Sequence, residues 1–233
     1  MSQVRVHLNR EPTDPRLGRH QVHDDRSWAH AINIGATLPT IPADHTRYAP
    51  VLDQGNVGCC TAAAALGVLV TGPFWQPGKT KPYTMADVLA LYHDETLLDD
   101  RQIPGHYPPD DTGSSFLASA KALQKRHLIT SYQHTFTLAA MLTTLSTKPM
   151  SVGINWYQSM FKPDSGGVVK IGRRSQVAGG HEICFDGHDP ARKLARFTNS
   201  WGTSWGDNGR AWVSWTDLDR LLHEGGDAGT FTL

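Results

Sequence analysis

The first 35 residues are polar, and their few hydrophobic positions follow neither a helical nor a strand period. Arg, His and Asp are frequent in this stretch. A segment of this kind has no continuous apolar face to bury, so the pattern predicts an irregular N-terminal extension over residues 1–35 that adds little to a core. The pattern leaves open whether the extension clamps a cleft, braces another surface or is removed.

A helical pattern starts after an extended approach that prolines and glycines interrupt. The interruptions in residues 38–58 are Pro39, Pro42, Pro50, Gly55 and Gly58. The Ala-rich apolar run from Thr61 to Val70 then predicts a buried helix that opens near Cys60. Further helices are predicted over 85–94 and 115–126. The apolar face of the last one consists of Phe116, Ala118, Ala120, Leu123 and Leu128.

From Met150 onward, short segments of alternating hydrophobicity are separated by breaks rich in Gly, Asp and Pro. They predict strands over 151–156, 181–186, 194–199 and 210–215. Helices followed by strands indicate an α+β fold with two lobes, a helical lobe over about 50–145 and a β-rich lobe over about 146–233. A cleft between two such lobes is a common ligand site.

The charge balance excludes two classes of partner. The 233 residues carry 22 Lys and Arg against 22 Asp and Glu, and no basic run marks a surface for nucleic acid or an anionic membrane. The longest apolar stretch, residues 62–70, is about half of the ~20 residues that cross a bilayer. We therefore expect no nucleic-acid partner and no membrane partner, while the oligomeric state is left unassigned.

The cysteines and the N-terminus indicate a reducing compartment. Cys59, Cys60 and Cys184 are too few for a disulfide framework. Neighbouring residues lie ~3.8 Å apart at Cα, whereas disulfides prefer ~5.5 Å. The N-terminus also lacks the apolar segment of a secretory signal. We predict three free thiols and a cytoplasmic location, in a cytosolic or phage-associated protein.

Three short segments contain the residues of a thiol-based catalytic site, in the order Cys, His, Asn. A cysteine at the start of a helix is the best placed of the three to form a thiolate, because the helix dipole and free N–H groups lower its pKa, which favours Cys60 as nucleophile. His181 opens a predicted strand and could hold and deliver a proton, with the Asn199 amide accepting its other N–H. Gln54, six residues before Cys60, could donate to an oxyanion. Trp201 is predicted to cover the His181–Asn199 hydrogen bond.

These segments resemble the papain-like cysteine peptidases. The run from Asn199 to Gly209 reads Asn-Ser-Trp-Gly-x-x-Trp-Gly-x-x-Gly without a break and is the most specific element. His181 and Asn199 follow Cys60 by about 120 and 140 residues, close to the family's spacing. The overall sequence pattern is most similar to that of compact bacterial and phage members of the family.

The resemblance implies a papain-like peptidase domain over 36–233 with the active site between the lobes, acting on a peptide or protein substrate through a thioester and without a cofactor. It also implies a segment whose backbone pairs with substrate, matched here by Gly113. With Gly180 and Trp201, this glycine forms the predicted substrate-binding set. Residues 1–35 are shorter than the family's helical pro-domain, so a propeptide of that type is not expected.

This chain departs from the family pattern around the nucleophile. Val57 replaces a half-cystine, Cys59 a small residue and Thr61 a bulky aromatic residue. No catalytic atom is lost, but the wall of the cleft changes. The family's side-chain specificity therefore cannot be assumed for this chain.

Simpler interpretations apply to the other reactive residues. Cys59 is expected to be a buried neighbour of Cys60, with transient redox pairing as the alternative. No metal is expected, since His181-Glu182 is not followed by a second histidine at zinc spacing. Asp110 and Asp111 are expected to form a solvated loop or helix cap.

Two other functions remain as alternatives to a peptidase. One is an amidase that cuts the peptides of bacterial cell wall, and the other is a catalytically inactive scaffold that binds peptide in the cleft.

Overall fold

The structure is a computed structural model that describes residues 13–21, 23–32, 37–99 and 103–233. Within these residues the three predicted helices are confirmed, and two more follow them. The helices are α1 (Cys60–Leu69), α2 (Met85–Leu98), α3 (Phe116–Lys125), α4 (Leu138–Leu145) and α5 (Trp215–His223). A short 3₁₀ helix spans Asp25–His30. No helix among the described residues is long and apolar enough to cross a membrane.

Helix α1 is the centre of the helical part, and every one of its residues is buried. Its alanines have small side chains, so α2, α3 and the sheet can approach it from several sides. A helix that is apolar all round is expected to be enclosed by its neighbours. This enclosure fixes the direction in which the first turn of α1, with Cys60, points.

The four predicted strands are present, and four further strands join them. The strands are β1 (Ala43–Asp44), β2 (Ser131–Thr135), β3 (Met150–Tyr157), β4 (Val168–Val169), β5 (Val177–Asp189), β6 (Leu194–Thr198), β7 (Arg210–Ser214) and β8 (Asp227–Thr232). In the described residues they form one sheet with the order β2-β8-β3-β5-β6-β7-β4, and β1 pairs with β5. All pairs are antiparallel except β4 with β7.

Two hydrophobic clusters correspond to the two lobes of the α+β fold. One surrounds α1, α2 and α3, and the other lies on the sheet with α4 and α5. The clusters are not strictly sequential, because β2 pairs with β8 in the sheet although it precedes α4. Phe231 of β8 in turn stacks on Phe116 of α3, with ring centroids 5.5 Å apart.

Residues 13–21, hereafter the arm, run between the two lobes. Leu17 is 2% exposed and Arg19 is 3% exposed, so this part of the chain is more deeply buried than its polar composition predicted. Burial is possible because its backbone is hydrogen-bonded on both sides, for example from Ser114 N–H to Gly18 O. The expectation for residues 1–12, 22 and 33–35 lies outside the described residues.

Candidate active site

Cys60 is the first residue of α1, and its side chain is fully buried. The loop before it is tied to the segment that leads into α3. The Gly58 N–H and the Tyr92 hydroxyl donate to the two oxygens of Asp111, over 2.8 and 2.6 Å. Tyr92 also accepts a hydrogen bond from the Gly113 N–H. These contacts hold the start of α1 against α2 and the segment that leads into α3.

His181 lies in β5, and Asn199 directly follows β6, which pairs with β5. The imidazole Nε2 lies 2.8 Å from the Asn199 Oδ1. Because Oδ1 can only accept, Nε2 carries the proton and Nδ1 is left as a base. Among the described residues Nδ1 has no hydrogen-bond partner. The backbone N–H of Glu182, the next residue, is close enough to the Cys60 thiol to lower its pKa.

Two tryptophans enclose the imidazole. Trp201 stacks on His181 with ring centroids 4.8 Å apart and an angle of 28° between the planes. Trp156 approaches the same ring edge-on at 5.0 Å. Both indoles are buried, so they exclude water from the His181–Asn199 hydrogen bond, as predicted for Trp201.

Gln54 is buried beside the same loop and is oriented by Ser200, the neighbour of Asn199. Its Oε1 accepts from the Ser200 hydroxyl over 2.6 Å. Its Nε2 donates to Val57 O over 2.6 Å and to Arg16 O over 3.1 Å. One N–H of the amide is therefore bound within its own loop, and the other donates into the cleft to a carbonyl oxygen of the arm.

The arm occupies the space next to Cys60. The backbone N–H of Gly18 is close enough to the Cys60 thiol to lower its pKa, and the Arg19 N–H donates to Gly180 O over 3.1 Å. A Cβ on Gly18 would lie 1.8 Å from Gly58 O. Only a glycine can pass this closely over the loop before Cys60.

The predicted substrate-binding glycines line this passage. Gly180 and Gly113 both face the arm, and a Cβ on either would lie within 2.3 Å of an arm carbonyl oxygen. Ser114, rather than Gly113, makes the backbone hydrogen bonds to the arm, at 2.8 Å to Gly18 O and 2.9 Å from His20 N–H. Gly113 has a φ of +69° and brings Ser114 into position.

Burial disfavours the charged forms of Cys60 and His181. Burial raises the pKa of the Cys60 thiol to about 12, although the two backbone N–H groups lower it. Burial lowers the pKa of His181 to about 4 against the effect of the Asn199 hydrogen bond, and the charge of Arg16 lowers it further. With the arm in place, the cysteine is a thiol and the histidine is neutral at physiological pH.

Sequence reasoning missed the structural role of Asp111. Asp111 was expected in a solvated loop or a helix cap, and it is an exposed residue. Nevertheless, both of its carboxylate oxygens accept hydrogen bonds, which connect the loop before Cys60 to α2. The sequence offers no signal for this, because Asp110 has the same local surroundings. Cys59, Cys60 and Cys184 are all free and buried, and the described residues contain no cluster suited to a metal.

The sequence matches the model of the papain family of cysteine proteases over residues 78–217, more than half of the chain. The chain belongs to this family. As a member, it is a hydrolase of the cysteine protease class that acts on peptide or protein substrates. The matched range contains His181 and Asn199 and begins after Cys60. No curated protein sequence matches the chain.

Solved structures of other cysteine proteases support the papain fold. Xylellain from Xylella fastidiosa is 19% identical and has a TM-score of 0.71, covering 97% of this chain and 98% of that one. Bromelain from Ananas comosus, in complex with the E64 inhibitor, is 15% identical with a TM-score of 0.58, covering 84% and 100%. The proform of the ragweed pollen allergen Amb a 11 has the same identity and TM-score, covering 95% and 74%.

Proposed function

We propose that this papain-family protease hydrolyses peptide bonds with Cys60 as nucleophile and His181 as acid and base. Nδ1 of His181 takes the thiol proton, and the sulfur attacks the substrate carbonyl carbon. Nδ1 then gives the proton to the leaving amine, and a thioester remains on Cys60. Water, deprotonated by the same nitrogen, attacks the thioester and releases the second product.

Asn199 and Gln54 assist these steps without bonding covalently to substrate. The Asn199 carbonyl oxygen keeps the proton on Nε2 and turns Nδ1 toward the thiol. Gln54 Nε2 and the Cys60 N–H stabilise the oxyanion of the tetrahedral intermediate. The observation that carries the proposal is the hydrogen bond from Gln54 Nε2 to Arg16 O, because it shows that this amide can donate to a peptide carbonyl oxygen in the cleft.

The arm holds this protease in a latent state. It covers Cys60 and takes up the Gln54 donor, and the charge of Arg16 works against an imidazolium at His181. A segment much shorter than a helical pro-domain is sufficient to block the site, because only the part of the cleft over the Cys60 thiol has to be occupied. Substrate takes over the hydrogen bonds that the arm makes to Gly180 O and to the backbone of Ser114, next to Gly113. The leaving group of the substrate then lies near Trp201.

The state of the thiols supports a reducing, cytoplasmic location for the enzyme. Cys59, Cys60 and Cys184 are free in the structure. A free nucleophile persists where the thiol pool is reduced. Fractionation of cells that express the chain, followed by thiol labelling, tests this location.

The reaction is tested by trapping the thioester. A Gly18→Ala chain, in which the arm can no longer lie over Gly58, is mixed with a peptide p-nitrophenyl ester, quenched in acid and digested. We expect an acyl mass on the peptide that contains Cys60, and no such mass after His181→Ala. Acyl groups found only on other residues would contradict the proposed chemistry.

A further inference from the structure

A space in the sheet lies beside the site, at Gly153 in the middle of β3. Gly153 is paired with Glu182 of β5 on one side and with Asp227 of β8 on the other. Because glycine has no side chain, the space between these two carboxylates is open to the cleft. A Cβ on Gly153 would lie 1.9 Å from the Nε of Arg19, so a side chain from the arm fills this space.

The guanidinium of Arg19 is held by acceptors on several sides. Its Nη2 lies 2.7 Å from Asp227 Oδ1 and donates to Gly225 O over 3.1 Å. Its Nη1 donates to Gln21 O over 2.9 Å, and its Nε lies 3.6 Å from Glu182 Oε2. The Arg19 and Glu182 side chains are 1% and 0% exposed.

The two carboxylates are positioned independently of the arm. Ser151 donates to Glu182 Oε1 over 2.8 Å, and His134 Nδ1 lies 3.2 Å from Asp227 Oδ2. These contacts leave the other oxygen of each acid directed at the space over Gly153. Within the described residues Glu182 Oε2 accepts no hydrogen bond, although it is buried. Buried carboxylate oxygens of this kind favour a cation as occupant.

The charge state of the pair fits one bound cation. Burial raises the pKa of Glu182. The pKa of Asp227 is lowered, since the His134 hydrogen bond and the charge of Arg19 outweigh its burial. Asp227 is therefore the more acidic of the two, and it is the direct partner of the guanidinium at 2.7 Å.

The space lies on the acyl side of the scissile bond. Gly18 covers Cys60, where the attacked substrate residue must lie. Arg16, on one side of Gly18, lies over Trp201 at 4.2 Å from the ring centroid, next to His181 and the leaving group. Arg19 lies on the opposite side of Gly18. The arm therefore runs in the direction opposite to that of a substrate, and a substrate side chain in the place of Arg19 belongs to the second residue before the scissile bond.

We propose that Gly153, Glu182 and Asp227 form a pocket that selects substrates with arginine as the second residue before the scissile bond, and that Arg19 occupies this pocket until the arm is displaced. The proposal rests on the proposed function and names its substrate class. The planar guanidinium matches acceptors around its rim better than an ammonium ion.

Substrate selectivity tests the pocket directly. In the full Gly18→Ala chain, kcat/KM is measured for acetyl-Xaa-Gly-aminomethylcoumarin with Xaa as arginine, citrulline or leucine; citrulline is a neutral mimic of arginine. We expect arginine to exceed citrulline by at least about tenfold. Adding Gly153→Ala, which fills the pocket, or Asp227→Asn should remove most of this preference. Adding Gly172→Ala, a loop control, should not, and equal kcat/KM for arginine and citrulline overturns the proposal.

A binding measurement separates failure of the pocket from failure of the protease. If the Gly18→Ala chain cleaves none of the three substrates, the proposed function fails, and the pocket is decided on the full Arg19→Ala chain. We expect millimolar methylguanidinium to raise its Tm relative to equal sodium chloride, with no such rise for Arg126→Ala, which loses a surface pair with Asp94. Equal Tm values in methylguanidinium and sodium chloride would then overturn the pocket. If Arg19→Ala does not fold, the same comparison is made on Arg19→Lys.

Discussion

The side-chain amide of Gln54 donates to the carbonyl oxygen of Arg16 over 3.1 Å. One partner is a predicted oxyanion donor, and the other belongs to the polar N-terminal stretch of the same chain. Because a donor arranged for a transient oxyanion also binds a stable carbonyl oxygen, the arm and a substrate compete for it. Removing the arm should therefore free this donor for substrate.

Displacing the arm should activate the enzyme. Gly18→Ala places a Cβ 1.8 Å from Gly58 O, which forces the arm out of the cleft. We expect the rate of casein hydrolysis to rise by at least about tenfold, since each ~1.4 kcal/mol of lost arm binding is a factor of ten. Gly166→Ala is the control, because its Cβ meets only the Asp164 side chain at 3.3 Å. An unchanged rate for Gly18→Ala would show that the arm does not limit access.

Alkylation of Cys60 should depend on pH in a way that reports the arm. In the wild-type chain burial raises the thiol pKa to about 12 and lowers the pKa of His181 to about 4. The thiolate fraction then grows about tenfold per pH unit between pH 6 and 9, because these values lie below the thiol pKa and above the imidazole pKa. Iodoacetamide labelling should follow that slope.

The Gly18→Ala chain should behave differently in the same experiment. Solvent returns to the site, so the thiol pKa falls and that of His181 rises toward an ion pair. We expect faster labelling that is nearly constant over pH 6–8. The same steep slope in both chains would mean that the arm does not control the state of the pair.

Gln54→Ala should lower kcat with little change in KM. In the Gly18→Ala background the loss of one oxyanion donor is expected to cost about 10²–10³-fold in kcat. Gln124→Ala is the matched control, since Gln124 donates only to Thr130 O on the surface. A rise in KM at unchanged kcat would assign Gln54 to substrate binding instead.

Asp111→Ala should loosen the nucleophile loop. It leaves the Gly58 N–H and the Tyr92 hydroxyl without their acceptors, which we expect to lower the free energy of unfolding by about 1 kcal/mol at this partly exposed site. The neighbouring Asp110→Ala serves as the control. Urea unfolding monitored by fluorescence measures both, and equal stability of the two variants would remove Asp111 from the account.

Local sequence signals were sufficient for much of the fold. The Ala-rich run predicted α1, and the alternating segments predicted β3, β5, β6 and β7. Helix α5 was missed although Ser214 and Asp217 provide a capping signal at its start. Strand β8 was missed because Gly225, Gly226 and Gly229 make this stretch resemble a loop. Within the strand, Gly229 is required by the ring of Phe116, which lies 2.0 Å from a hypothetical Cβ.

The residues that regulate the site could not be predicted in the same way. Cys60, His181 and Asn199 belong to recognisable motifs, so their proximity could be expected. Arg19 and Asp227 are 208 positions apart and meet only in the folded chain. A polar arm has no periodicity that would reveal its binding site, because that site is formed by other parts of the sequence.

Cys60, and not its neighbour Cys59, is the proposed nucleophile. The most direct measurement compares Cys60→Ala with Cys59→Ala, both in the Gly18→Ala chain, for peptide hydrolysis. The two residues are adjacent, free and buried, so the pair is closely matched. We predict no detectable hydrolysis for Cys60→Ala and at least about half of the parent rate for Cys59→Ala, in line with the small cost of a substitution away from the reacting atoms. Hydrolysis by Cys60→Ala at the parent rate would contradict the account.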